Sequence, residues 1–195
     1  MQNIFLIFLI VIETTLSGCA ALLPISVAGT AAFVSDERSL GKIIDDKLIY
    51  TNITSELSKK GGGQMFMAVN VTVLEGRVLL TGNVGSKTHI DEAVKTAWSV
   101  HGVKEVINCL LVNMKPIGNS ANDILIEKAI ESRLLLEKKL MSTNYKVIVN
   151  NNEAYILGIA QSEEEMNKVL HIASNSKGVS KVVNYIILKN DIRRG

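Results

Sequence analysis

Hydrophobic residues recur along this chain with two periods, and the switch between the periods outlines its elements. Leu48, Ile49, Ile53 and Leu57 fall at three-to-four spacing, which predicts an amphipathic helix with these residues in its core stripe. Gly61-Gly62-Gly63 ends it, because glycine tolerates left-handed cap geometry. Val69, Val71 and Val73 alternate with Asn70 and Thr72, the two-residue period of a strand with one apolar face. Glu75-Gly76 makes a tight turn into residues 77–81, so a hairpin is expected. Ile90, Val94 and Ala97 stripe a second helix, and Gly102 breaks the chain before an apolar strand from Val103 to Val112.

The same order returns further on. Ile126, Ile130 and Leu134 give a helical stripe, and Val147 and Val149 lead through Asn150-Asn151-Asn152 to Tyr155 and Ile156. Met166, Leu170 and Ala173 stripe another helix, which Lys177-Gly178 ends before a strand from Val179 to Leu188. An offset of 76 carries residues 78–82 onto 154–158, Gly102-Val103 onto Gly178-Val179, and Val106-Ile107-Asn108 onto Val182-Val183-Asn184. An offset of 77 carries Asp46, Ile49, Ile53 and Leu57 onto Asp123, Ile126, Ile130 and Leu134, so one residue is inserted between helix and strand. Such a duplication means one supersecondary unit used twice. The expected fold is α/β of the α+β type: two small repeated domains, each helix-strand-strand-helix-strand, with helices packed on a small mixed sheet. At about 70 residues a copy is near the lower limit of independent stability, so packing the copies together helps both.

The start of the chain follows neither period. Ile4 to Ile12 is a continuous apolar run, shorter than the roughly 20 residues a spanning helix needs and of signal-peptide length. No Lys or Arg precedes it, and Glu13 follows. Leu16-Ser17-Gly18-Cys19 resembles the lipobox of bacterial lipoproteins, which implies cleavage before Cys19 and diacylation of its sulfur. Ala20 after the cysteine resembles the pattern released to the outer membrane. The alternative is a buried N-terminal helix with an ordinary cysteine.

Charge excludes more than it selects. The formal net charge is +2, and neither repeat is strongly polarised, so the basic stripe of a nucleic-acid binder is missing. Only Lys189 to Arg194 is locally basic, read as a solvated end or a weak contact with anionic head groups. Cys109 stands in an apolar run and reads as a small buried hydrophobe rather than a reactive thiol. His89, His101 and His171 are scattered, so no metal site is expected. Residues 81–88, Thr-Gly-Asn-Val-Gly-Ser-Lys-Thr, place Ser86 before Lys87 where a phosphate loop needs Gly-Lys-Ser/Thr, so no nucleotide is expected. No nucleophile elbow is present, and no catalytic residue or cofactor is assigned. Glu163-Glu164-Glu165 sits in a first helical turn, where acids favour exposed backbone amides.

Helix, β-hairpin, an apolar strand ending in Leu-x-Gly, a second helix and then Gly-Val-x-x-Val-x-Asn together resemble the BON domain. Gly82, Gly102, Val103, Val106 and Asn108 carry the pattern in the first copy; Gly158, Gly178, Val179, Val182 and Asn184 carry it in the second. The second copy departs in having Glu153 where Arg77 stands and Gly158-Ile159-Ala160 for Gly82-Asn83-Val84. The BON resemblance covers essentially all of Asp45 to Leu188, and two such domains behind a lipobox resemble the dual-BON outer-membrane lipoproteins. That resemblance implies a signal peptide at 1–18, a lipid-anchored tether at 19–40, BON-like domains at 41–115 and 121–192, a linker at 116–120 and a tail at 193–195. It also implies a periplasm-facing, lipid-anchored outer-membrane protein that binds phospholipid, supports membrane integrity and has no catalytic role.

A lipid-contacting surface needs an aromatic or apolar group beside cations. Trp98 with Lys87 and Lys95 meets that requirement in the first copy, whereas Ser174 stands at the Trp98 position in the second. Trp98 at the core edge or in an interdomain seam is the structural alternative. Tyr145, Tyr155 and Tyr185 are read first as strand packing. Gly82, Gly102, Gly158 and Gly178 are read as backbone requirements rather than ligand contacts. The competing function is a protein-interaction adaptor for an envelope complex, exposing an apolar patch or a sheet edge.

Overall fold

The computed structural model describes residues 40–60, 68–112 and 120–194. The signal peptide, Cys19, most of the tether, Gly61-Gly62-Gly63 and most of the linker lie outside the described residues. The first repeat runs α1 (Leu40–Lys60), β1 (Val69–Leu74), β2 (Arg77–Val84), α2 (Lys87–Ser99) and β3 (Glu105–Val112). The second runs α3 (Ala121–Leu136), β4 (Tyr145–Asn150), β5 (Glu153–Ala160), α4 (Glu163–Ser174) and β6 (Lys181–Leu188), with short 3-10 turns at Ser142–Asn144 and Ile192–Arg194. Each sheet is mixed, as expected: the hairpin strands are antiparallel, and the strand after the second helix lies parallel to the central one. Strand orders are β1-β2-β3 and β4-β5-β6, so β1 and β4 are edges.

Three apolar cores explain the burial. Ile49, Ile53 and Leu57 of α1 and Ala93 and Ala97 of α2 pack on Val78 and Leu80 of β2. Ile126, Ile130, Leu134, Val169 and Ala173 do the same on Ile156 of β5. Leu79, Ile107, Tyr155, Leu157 and Ile187 form the third core, in which the free faces of the two sheets meet. Both faces of β2 are covered, so all eight of its residues are buried although alternate side chains point opposite ways. Both repeats belong to one compact unit.

The hairpin turns explain why Asp46 and Asp123 share a position in the repeat. Glu75 and Gly76 have φ of 51° and 78°, and Asn151 and Asn152 have φ of 52° and 63°, the left-handed pairs of a tight two-residue turn. The Asp46 carboxylate accepts from the amides of Glu75 (2.8 Å) and Gly76 (2.9 Å). Asp123 accepts from those of Asn151 (3.2 Å) and Asn152 (2.9 Å). A buried helical aspartate thus clamps each hairpin, a role that the helical stripe alone did not reveal.

Four sequence expectations are revised. Leu48 is 57% exposed on the outer side of α1, because Asp46, Ile49, Ile53 and Leu57 already fill the inner face. Trp98 is 53% exposed and lies in neither the core nor the seam. Gly82 and Gly158 lie inside β2 and β5, paired with Val69 and Tyr145, rather than at strand ends. The basic tail is not a solvated end: the Arg194 guanidinium donates to both Glu75 oxygens at 2.8 Å, and Lys42 donates to the Arg194 carbonyl at 3.1 Å.

Candidate functional site

The three cationic and aromatic residues singled out in the sequence stand together on α2. Ser86 caps the helix by accepting from the His89 amide at 3.3 Å, which fixes Lys87 in its first turn. Lys87 and Lys95 are eight residues apart and Trp98 follows three later, so ordinary helix geometry sets them on one flank. All three are exposed, and Ala93, Thr96 and Ala97 occupy the buried face. Asp91 lies in the same row between the lysines and tempers their charge.

Beside α2, on the same sheet, α1 adds residues that sequence reasoning placed elsewhere or passed over. Leu40, Ile44 and Leu48 are exposed at four-residue spacing, opposite the buried stripe. Lys47 stands 4.9 Å over the Tyr50 ring on this helix. The signal was present in the sequence: apolar residues lie on two sides of α1, and only one side can face the sheet. The corresponding helix α3 exposes Ile124, Leu125, Leu135 and Leu136, whereas its neighbour α4 starts with three glutamates and carries no tryptophan.

Of the three glutamates that open α4, Glu165 is structural. The Glu165 carboxylate accepts from the Tyr145 hydroxyl at 2.6 Å and from the Gln161 amide at 3.2 Å. Burial and this carboxylate together push the Tyr145 hydroxyl far above the usual tyrosine range. Gly102 and Gly178 have φ of 90° and 94°, and a Cβ there would stand 3.2 Å from Ile49 and 2.8 Å from Ile126. Glycine lets the chain leave each second helix close over the first.

Polar groups also cross the seam. Arg77, 2% exposed, pairs with Glu105 and donates to the Tyr185 carbonyl at 2.9 Å. Asn151 donates to Asn83 at 3.3 Å. Burial pushes the Cys109 thiol up despite its contact with Tyr185, and Tyr185 itself is pushed up to about 12 by burial and by Cys109. Neither group is poised to exchange protons at neutral pH. Among the described residues no cluster of three or more His, Cys, Asp or Glu is placed to hold a metal ion.

A groove of about 420 Å³ opens between edge strands β1 and β4. Its walls are matched positions of the two repeats: Tyr50 and Glu127, Thr54 and Glu131, Val71 and Val147. Burial raises the Glu127 carboxyl, although Lys128 and the Val149 amide partly offset it.

The sequence profile of the BON domain matches residues 45–114 and 122–190, each interval containing one repeat. The chain belongs to the BON-domain family. It is 37% identical over 149 residues to "Uncharacterized protein in gshII 5'region" of Anaplasma centrale, covering 75% of this chain and 97% of that protein. It is 31% identical to "Outer membrane lipoprotein DolP" of Haemophilus influenzae, covering 86% of this chain and 87% of the relative. It is 30% identical to "21 kDa hemolysin" of Actinobacillus pleuropneumoniae, covering 77% and 78%. This BON-domain chain has no helix among its described residues long and apolar enough to cross a membrane.

Proposed function

We propose that this protein is a periplasm-facing outer-membrane lipoprotein, anchored through Cys19, whose first BON domain binds phospholipid head groups and so supports outer-membrane integrity. The observation that carries the reading is the exposed Trp98, sharing one flank of α2 with Lys87 and Lys95. An indole settles at head-group level, and lysines beside it meet lipid phosphate. Similarity across 86% of the chain to a protein named an outer membrane lipoprotein supports the address. The lipobox residues Leu16 to Cys19 support the anchor.

The test is cosedimentation of residues 20–195 with anionic and zwitterionic vesicles at low and moderate salt. Selective, salt-weakened binding to anionic vesicles that drops in Trp98→Phe supports head-group recognition. Absence of binding to either vesicle contradicts it.

A second reading, an adaptor for an envelope protein complex, is favoured by the groove between β1 and β4. An edge strand offers unpaired backbone groups to an extended segment of another chain.

A further inference from the structure

Each sheet has two edges, β1 and β3 in the first repeat and β4 and β6 in the second. All but β1 are guarded. The Asn108 carboxamide accepts from the Leu110 amide of β3 at 3.1 Å, and Asn184 does the same for Ile186 of β6 at 2.8 Å. On β4 the Glu127 carboxylate accepts from the Val149 amide at 3.4 Å. These strands also carry charges, Glu105, Lys181 and Lys146, which discourage a foreign strand. β1 has neither device: Val69 to Leu74 include no charge, proline or glycine. Tyr50, at the Glu127 position of α1, makes no cap to it among the described residues. The two-residue turn makes Leu74 and Arg77 a hydrogen-bonded pair, so Val71 and Val73 turn their amides and carbonyls away from β2. Resting on the adaptor reading above, we infer that β1 is the docking edge for an extended segment of a partner protein, one carrying basic residues at alternate positions.

The shape of the groove selects a single chain. β1 and α1 wall one side and β4 and α3 the other, around about 420 Å³. A second copy's β1 comes attached to β2 and covered by α1, a helix about 10 to 12 Å across, which a cleft of this size does not admit. Its charge selects the segment. Glu127 and Glu131 lie one turn apart on α3, about 6 Å along the axis, close to the roughly 6.7 Å between alternate residues of a strand. Lys or Arg at two alternate positions of a strand laid on β1 therefore meets both carboxylates. Lys146 also lines the groove, which leaves two carboxylates against one cation. Lys128 pairs with both glutamates from outside, but it is 61% exposed, and such a surface pair is readily exchanged. Burial already raises the Glu127 carboxyl, so a cation brought beside it relieves that cost. The matched Tyr50 and Thr54 of α1 are uncharged, so the acidic wall is peculiar to the second repeat while the open edge belongs to the first.

The test titrates the full chain, in zwitterionic detergent micelles, with the synthetic peptide Thr-Lys-Val-Lys-Val-Thr, following affinity by fluorescence anisotropy and amide exchange by NMR. Saturating peptide is expected to slow exchange of the Val71 and Val73 amides about tenfold or more and to leave those of Val147 and Tyr145 unchanged. N-methylating one alternate set of peptide amides keeps the charge and removes the strand pairing, so it is expected to cost at least about tenfold in affinity without any change to the protein. Glu127→Gln with Glu131→Gln, in which residue 127 still offers an oxygen to Val149, is expected to weaken binding about tenfold and to flatten its salt dependence. Protection at Val147 in place of Val71, indifference to both N-methylation patterns, or equal affinity for the peptide with glutamate in place of its lysines overturns the inference and leaves the adaptor reading standing. If neither the lysine nor the glutamate peptide slows exchange at β1 or β4, both fail.

Discussion

Cys109 and Tyr185 occupy the same position in the two repeats, 76 residues apart, and they touch: Sγ lies 3.1 Å from the tyrosine hydroxyl. A position that meets its own counterpart lies on the axis relating two copies, as at the centre of a two-fold dimer interface. The repeats therefore pack as a dimer within one chain, sheet against sheet.

Beside the Arg77 and Asn151 contacts, this seam holds the Cys109–Tyr185 contact and a buried hydroxyl that makes none. Tyr185→Phe removes the hydroxyl facing Cys109 and is expected to cost about 1 kcal/mol. The Thr81 hydroxyl is fully buried without a hydrogen-bond partner. Thr81→Val keeps the shape and removes that group, so it is expected to stabilise by about 0.5 to 1 kcal/mol. Urea denaturation at neutral pH checks both, and the opposite order contradicts the packing of the seam.

The repeats carry one ion pair with its signs exchanged. Arg77 faces Glu105 across neighbouring parallel strands, and Glu153 faces Lys181 in the matched register. The environments differ: Arg77 is buried and also serves the Tyr185 carbonyl, whereas Lys181 is open to solvent. Arg77→Ala is expected to cost about 3 kcal/mol, and Lys181→Ala no more than about 0.5 kcal/mol. Equal costs in chemical unfolding would remove the distinction.

Each hairpin clamp is open to the same kind of test. Asp46→Ala and Asp123→Ala each strip two turn amides of a charged acceptor and are expected to destabilise by about 2 to 3 kcal/mol. The midpoint of urea unfolding falls while its slope stays unchanged, because the unfolded chain exposes the same surface. A loss below about 0.5 kcal/mol at both positions would show that the turns hold without the aspartates.

The fold was legible because the two periods, the turn dipeptides and the duplication all point to one arrangement. Even the Asp46 to Asp123 match was visible, although its purpose depends on where the turn falls in space. Leu48 was misplaced because apolar residues on two sides of α1 satisfy the same helical spacing. Which side the sheet takes is a tertiary choice, decided by the buried Asp46 reaching the hairpin. The tail was misread because local charge cannot announce a partner 119 residues away. Trp98, Lys87 and Lys95 were legible as neighbours on a helix, while the apolar row beside them emerged only when α1 was set against the sheet.

That distant partner makes acid stability informative. Burial alone would raise the Glu75 carboxyl, but hydrogen bonds from Arg194 and Lys42 hold it below the ordinary glutamate range. Its contribution is therefore fully present above the unfolded value of about 4.3 and is lost as pH falls through the lower native value. In Arg194→Ala burial remains while the stronger partner is gone, so acid unfolding is expected to begin at higher pH than in the native chain. A circular-dichroism pH titration checks this, and superimposable acid limbs would contradict a stabilising role for the tail.

The first repeat's helical layer is proposed to meet phospholipid, and the chain's single tryptophan reports on that contact directly. Emission of Trp98 is measured as residues 20–195 are titrated with phosphatidylglycerol vesicles carrying brominated acyl chains. The expected result is a blue shift with bromine quenching that weakens as salt rises and is absent with phosphatidylcholine. An unchanged, unquenched emission across the titration would contradict the claim and move the function to the groove between β1 and β4.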